Sequence, residues 1–190
     1  MDIAYGYGER SLMTRIREYS IWILPPEPVF DRLAQIITQI SKQYSTPSFE
    51  PHVTLLGNLS LLEQEVSSKT QQLANFLKPF TLHLTTAGLL NEYFRSLFIN
   101  IEKTEELMEA HQKARTLFRS GREPEFFPHL SLMYGNFSRE IKEKIIAEIG
   151  KDFQIRFEVK DMYVTLCSSN IALKDWRRLA QFTFQTVKEN

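Results

Sequence analysis

Cysteine is almost absent from the sequence: Cys167 is the single cysteine among 190 residues. One thiol excludes an intramolecular disulfide, and we interpret Cys167, in the apolar run 162–167, as a small buried hydrophobe rather than a nucleophile. The chain also lacks a basic start followed by an apolar stretch, and no run approaches the roughly 20 apolar residues of a membrane span. These absences predict a cytoplasmic protein without a membrane partner.

An excess of charge of either sign is also absent. The 23 Lys and Arg residues equal the 23 Asp and Glu residues, and the pI is near 6.9. A protein that grips duplex nucleic acid needs a basic surface, so we expect no such partner. A small nucleotide needs only a local pocket and stays compatible with this balance. Because long linkers and low-complexity tracts are missing too, we expect one monomeric domain over 19–190 after a disordered lead-in over 1–18.

Apolar periodicity alternates between strand and helix patterns along the chain. The predicted order is β-α-β-α-β-β-α-β-α-β-β-β, with a strand over 51–56 that ends at Gly57 and another over 94–101. Strands that follow one another directly must pair antiparallel. The order therefore predicts an α+β fold of two pseudo-symmetric lobes, each an antiparallel sheet with helices on its outer face, around a central cleft.

One segment occurs twice. Residues 51–60 read PHVTLLGNLS and residues 128–138 read PHLSLMYGNFS, with Tyr134 as one extra residue in the second copy. In both copies we predict a strand, then a glycine, then a helix. Such a duplication is typical of two related lobes that face each other.

The repeat places chemically useful side chains on one strand face. Residues i and i+2 of a strand share a face, so His52 lies beside Thr54, and His129 lies beside Ser131. Between facing lobes, one neutral imidazole can accept a proton from water while one imidazolium protonates a departing oxygen. The two hydroxyls can donate hydrogen bonds to non-bridging phosphate oxygens. The pattern predicts hydrolysis of a phosphodiester with no metal and no cofactor.

The remaining two histidines do not fit this pattern. His83 is followed by Thr85, but no proline precedes it and Gly88 comes five residues later. We interpret His83 as a strand histidine on a solvated or half-buried face. His111 lies in a polar helical stretch and is expected at the surface.

Two H-x-[ST]-apolar motifs 77 residues apart resemble those of the 2H phosphoesterase superfamily. The segments 48–52 (SFEPH) and 128–135 (PHLSLMYG) are similar to its cyclic phosphodiesterase branch, known from plants and yeast. So are the early strand with Trp22, the Tyr93-Phe94 pair and the late Trp176. The resemblance implies two catalytic histidines, a phosphate site and aromatic walls, formed respectively by His52 and His129, by Thr54, Ser131 and Tyr134, and by Trp22 and Phe94.

The resemblance also implies a substrate class, cyclic phosphates of ribose such as those left by tRNA splicing. That branch opens ADP-ribose 1″,2″-cyclic phosphate to the 1″-phosphate and nucleoside 2′,3′-cyclic phosphates to 2′-phosphates. By analogy it favours His129 as the base and His52 as the acid. The chain departs from the plant members in lacking their extra cysteines.

Three other interpretations stay open. A 2′-5′ RNA ligase or RNA-end-processing enzyme of the same superfamily predicts a basic channel, but the clusters Arg15-Arg17 and Arg177-Arg178 are small, and the arginine that follows the second motif in that branch is missing. A non-catalytic nucleotide-binding module would not require two proton-transfer groups. A two-histidine metal site would have only Glu50 as a nearby carboxylate.

Overall fold

A computed structural model describes residues 16–120 and 125–185. Residues 1–15 of the predicted lead-in lie outside the described residues. The lead-in was predicted to extend to residue 18, but the first strand already begins at Arg17. The helices and strands follow one another in the predicted order, and the α+β class is confirmed. The helices are α1 (Val29–Tyr44), α2 (Glu63–Phe76), α3 (Glu105–Phe118) and α4 (Arg139–Ile149), and the strands are β1 (Arg17–Ile23), β2 (Val53–Leu61), β3 (Phe80–Leu89), β4 (Leu97–Ile101), β5 (His129–Met133), β6 (Asp152–Val159), β7 (Asp161–Leu166) and β8 (Arg177–Thr183).

The eight strands form one curled antiparallel sheet in the order β6-β3-β4-β5-β2-β1-β7-β8. Four strands lie on each side of the centre of the sheet, where β2 meets β5 with Val53 opposite Leu130. The two lobes are therefore the two halves of a continuous sheet. Their central strands, β2 and β5, are the two that carry the repeated motif.

The core lies between this sheet and the helices packed on it. Val53, Leu55, Leu130 and Leu132 are each at most 1% exposed. Full burial of such a side chain stabilises the fold by about 1.5–3 kcal/mol. Since strand residues alternate, anchoring these four in the core leaves the alternate face of both central strands for the motif side chains. In the described parts of the chain, no helix is both long and apolar enough to cross a bilayer.

The prediction that the second strand ends at Gly57 is wrong. β2 continues to Leu61, and its pairing with β1 shifts register twice between Tyr19 and Trp22. Asn58 has a positive φ of 54°. Glycine inside a strand often marks such an irregularity rather than the strand's end, because it tolerates the strong local twist.

The strand predicted over 94–101 begins too early. Tyr93–Arg95 form a 3-10 turn, here called the 93–95 turn, and β4 starts only at Leu97. Two hydrogen bonds hold the turn against the end of β5: the Gly135 N–H donates to the Tyr93 carbonyl at 2.9 Å, and Ser131 Oγ donates to the carbonyl of Phe94 at 2.9 Å. The turn is thereby fixed beside the second copy of the motif.

Candidate active site

His52 and His129 are held in the same way. In each copy the imidazole Nδ1 hydrogen bonds to the backbone carbonyl two residues earlier, that of Glu50 at 2.7 Å and that of Phe127 at 2.8 Å. A carbonyl only accepts, so Nδ1 carries the hydrogen and, in the neutral ring, Nε2 is the basic nitrogen. The intervening proline fixes φ near −65°, which restricts the short loop that makes this bond. The repeated Pro-His sequence therefore orients the imidazole in the same way in both copies.

The two histidines line one cleft of about 300 Å³. This volume lies at the lower end of small-molecule sites. All seven side chains assigned from the sequence line it: His52, His129, Thr54, Ser131, Tyr134, Trp22 and Phe94. Six further residues, none of them predicted as a site residue, also line the cleft: Ser20, Gly57, Asn58, Arg95, Cys167 and Trp176.

His52 is the more buried of the pair, at 6% exposure. Its ring stacks on the indole of Trp22 with centroids 3.6 Å apart. Burial lowers the pKa of His52 to about 4, because loss of water disfavours the imidazolium; the Glu50 carbonyl raises this pKa and His129 lowers it. His52 is therefore neutral in the empty cleft at pH 7.

His129 is partly exposed. Burial lowers its pKa as well, the Phe127 carbonyl raises it, Arg95 lowers it, and the Glu92 carboxylate raises it. The empty cleft thus favours two neutral imidazoles. A phosphate anion bound between them would stabilise an imidazolium and raise the proton affinity of the pair.

The two motif hydroxyls have different surroundings. Within the described residues, the Thr54 hydroxyl makes no hydrogen bond. Ser131 Oγ already donates to the Phe94 carbonyl at 2.9 Å. Burial raises the pKa of Tyr134, so its phenol stays protonated and can donate at neutral pH. The expected equivalence of Thr54 and Ser131 thus holds for position but not for bonding.

The aromatic side chains occupy two levels of the cleft. Trp22 is 3% exposed, and its face is covered by His52. Phe94 is 39% exposed and lies 6.0 Å from Trp176, with the ring planes 28° apart. Trp22 therefore forms an inner wall, while Phe94 and Trp176 form a more exposed aromatic rim.

Neither a cysteine nucleophile nor a metal site is supported by the groups in and around the cleft. Burial raises the pKa of Cys167 to about 11, so it stays a thiol although it lines the cleft. Glu50, the carboxylate considered for a metal, pairs instead with Arg178 at 3.1 Å. Among the residues that the structure describes, no group of three or more His, Cys, Asp and Glu side chains is placed to hold a metal ion.

His83 lies on β3 as predicted, but at 9% exposure it is more buried than the solvated or half-buried face that was predicted. Its Nδ1 contacts Glu102 at 2.7 Å and its Nε2 contacts Gln154 at 3.0 Å, and it does not line the cleft. The expectation that His111 lies at the surface is wrong: it is 6% exposed, hydrogen bonds to the Leu55 carbonyl at 2.8 Å and stacks on Phe126 at 3.8 Å. The signal was present, because His111 follows Leu107 by one turn on the apolar side of α3.

A curled antiparallel sheet with paired His-x-Thr/Ser motifs on its two central strands defines a 2H phosphoesterase. The chain belongs to the family whose model is described as "Cyclic phosphodiesterase-like protein", which matches residues 18–184. The predicted family and the predicted enzyme class, a cyclic phosphodiesterase, are confirmed.

Two relatives and one solved structure show the extent of the likeness. An Arabidopsis thaliana protein named cyclic phosphodiesterase is 27% identical over 125 residues, which is 66% of this chain and 69% of that protein. A Yarrowia lipolytica protein named 2′,3′-cyclic-nucleotide 3′-phosphodiesterase is 26% identical over 143 residues, and the match covers 70% of this chain but only 63% of that protein. E. coli LigT complexed with 3′-AMP shares the fold with a TM-score of 0.62 and 16% identity, over 90% of this chain and 100% of LigT.

Proposed function

We propose that this protein hydrolyses a cyclic phosphodiester on ribose without a metal ion. The candidate substrates are ADP-ribose 1″,2″-cyclic phosphate, opened to the 1″-phosphate, and nucleoside 2′,3′-cyclic phosphates, opened to the 2′-phosphates. The observation that carries the proposal is the pair of identically anchored imidazoles, each with Nδ1 on a backbone carbonyl, lining one 300 Å³ cleft. Binding alone would not need two proton-transfer groups so arranged.

The two histidines take different roles in this scheme. His52, whose pKa is about 4, is the neutral base that accepts a proton from the attacking water. His129 is less buried than His52, so an imidazolium there keeps more contact with water, and we take it as the residue that gains a proton when the substrate anion binds. This reverses the assignment favoured by analogy.

The reaction then balances with no further group. The water oxygen bonds to phosphorus and gives its proton to Nε2 of His52. The bond from phosphorus to one ribose oxygen breaks, and that oxygen takes the proton from Nε2 of His129. The hydroxyls of Thr54 and Tyr134 donate to the non-bridging oxygens, where charge builds up in the transition state.

A substrate panel tests the proposed activity. It comprises ADP-ribose 1″,2″-cyclic phosphate, the four 2′,3′-cyclic nucleotides, a 3′,5′-cyclic nucleotide and a short RNA with a cyclic end, each assayed by ³¹P NMR with and without EDTA. We expect the enzyme to open the ring of ADP-ribose 1″,2″-cyclic phosphate or of the 2′,3′-cyclic nucleotides, and we expect this activity to survive chelation. Turnover of none of them would leave the binding-module interpretation, preference for the RNA would favour RNA-end processing, and EDTA inactivation reversed by a divalent cation would favour a metal mechanism.

The two proton-transfer roles are tested by the leaving group. The nitrophenolate of a nitrophenyl phosphodiester departs without needing a proton. His129→Ala should therefore keep much of the wild-type kcat on that substrate while losing ~100-fold on a 2′,3′-cyclic nucleotide. His52→Ala should lose on both, because the attacking water still needs a base. The opposite pattern would make His129 the base.

A further inference from the structure

The cleft contains a positive charge that neither motif supplies. Among the described residues that line it, Arg95 is the one side chain with a permanent charge. It comes from the 93–95 turn, which packs against the end of β5. A phosphodiester is anionic and its transition state spreads further charge over the non-bridging oxygens, so a cation fixed at this place acts directly on the chemistry.

Arg95 lies beside His129 rather than out on the aromatic rim. Its guanidinium carbon is 5.7 Å from the centre of the Phe127 ring, and Phe127 is the residue whose carbonyl holds the His129 imidazole. The turn that carries Arg95 is tied to Ser131 through the Phe94 carbonyl. Ser131 and His129 share one face of β5, so these contacts place the arginine at the end of the cleft where the phosphate would react.

Arg95 is held by a carboxylate that a phosphate can replace. Its Nε and Nη2 both donate to Glu92 Oε2, at 2.8 and 2.5 Å. Arginine has five N–H donors in a planar fork, and within the described residues the others make no hydrogen bond. Two parallel N–H groups fit two oxygens of a phosphate as well as they fit a carboxylate.

We propose that Arg95 is a phosphate-binding residue that contacts a non-bridging oxygen of the reacting phosphate, and that Glu92 holds it in place until the substrate binds. The proposal rests on the proposed function for the identity of the substrate. It predicts that Glu92 competes with the phosphate for the guanidinium. Removal of the carboxylate should therefore strengthen anion binding, which a purely structural ion pair would not do.

The binding test requires no turnover. Calorimetry with inorganic phosphate and with a nucleoside 2′-monophosphate should give dissociation constants ~10- to 150-fold weaker for Arg95→Gln, the usual effect of losing a charged hydrogen bond. Arg95→Lys should fall between, because it keeps the charge and loses the fork. Glu92→Gln should bind both anions more tightly than the wild type. Arg139→Gln, which breaks a more exposed ion pair with Glu143 at 2.7 Å on α4, away from the residues that line the cleft, is the control and should bind as the wild type does.

The kinetic test uses a 2′,3′-cyclic nucleotide, which has a single phosphate, and ADP-ribose 1″,2″-cyclic phosphate, which also has a diphosphate. Arg95→Gln should lower kcat/KM for both by a similar factor. Wild-type anion affinity in Arg95→Gln, or parallel losses in Arg95→Gln and Glu92→Gln, would overturn the proposal, as would a loss confined to the diphosphate substrate. If the wild type turns over neither substrate but Arg95→Gln still binds phosphate more weakly than the wild type does, the proposed function is contradicted and this inference is not.

Discussion

The imidazole of His52 lies flat on the indole of Trp22, with ring centroids 3.6 Å apart and planes within 11° of parallel. His129 meets its aromatic neighbours differently: Phe98 is 5.6 Å away at an angle of 70°, and Phe127 is 5.5 Å away at 30°. The stacked ring is the more shielded from water and has the lower pKa of about 4. Near-symmetric halves thus give their two histidines unequal proton affinities, which a mechanism with one acid and one base requires.

The two aromatic residues occupy equivalent places in the sheet. Trp22 on β1 pairs with Thr54, as Phe98 on β4 pairs with Ser131. Phe98 fits there because Gly88 on the next strand has no side chain: a Cβ at Gly88 would lie 2.6 Å from the Phe98 ring. The difference between the two histidines is therefore a difference in ring size and packing at matched positions.

Replacing Trp22 with leucine should raise the pKa of His52 from about 4 toward its ordinary 6.5, because water then reaches the ring. The sign for activity follows: His52 becomes protonated at higher pH, so the acidic limb of kcat/KM moves upward and activity at pH 6 falls relative to pH 8. NMR titration of the histidine ring protons measures the pKa directly. Phe98→Leu is the control and should leave the His52 titration in place. An unchanged His52 titration in Trp22→Leu would show that the stack does not set its pKa.

Much of the fold was predictable because it depends on local sequence patterns. Apolar periodicity gave the complete order of helices and strands, and the repeated Pro-His-x-Thr/Ser sequence located both histidines. The end of β2 was mispredicted because Gly57 signals either a strand end or an irregularity within a strand, and only the pairing with β1 decides between them.

The rest of the site depends on contacts between distant segments. Arg95 belongs to no motif and reaches the cleft only because the 93–95 turn binds β5, so no local pattern indicated it. The separate bonding of Ser131 was hidden for the same reason, since its partner is the carbonyl of Phe94. His111 was misjudged by its polar neighbours, although its position on α3 already favoured burial.

Thr54→Val deletes a hydroxyl that makes no hydrogen bond within the described residues while keeping the β-branched shape. We expect kcat/KM for a 2′,3′-cyclic nucleotide to fall ~10- to 150-fold, with little change in Tm and no shift of the pH optimum. Ser131→Ala should lower Tm as well, because it leaves the Phe94 carbonyl without its 2.9 Å donor. Kinetics and thermal unfolding of both variants separate these effects. Wild-type efficiency in Thr54→Val would mean that its hydroxyl does not face the phosphate.

Lys142 is 1% exposed, and its Nζ donates to the Leu90 carbonyl at 2.8 Å and to Asn91 Oδ1 at 2.9 Å. It thereby fixes the segment that leads into the 93–95 turn. Lys142→Met keeps the length and removes both donors, so we expect the free energy of unfolding to fall by about 1–3 kcal/mol and KM to rise. Urea denaturation measures the first and steady-state kinetics the second. Arg139→Met, an exposed change on the same helix, should alter neither; equal stability of both variants would remove Lys142 from this role.

Whether His52 and His129 act together on one phosphodiester is tested by the kcat values of His52→Ala, His129→Ala and the double variant on the best ribose cyclic phosphate. Each single change should cost at least ~100-fold, and the double variant should be little worse than the poorer single one, because the two residues act as a unit. His83→Ala, a buried histidine that does not line the cleft, should stay within a few-fold of the wild type. Wild-type turnover by a folded His52→Ala or His129→Ala variant, or inactivation by His83→Ala alone, would show that His52 and His129 are not the catalytic pair.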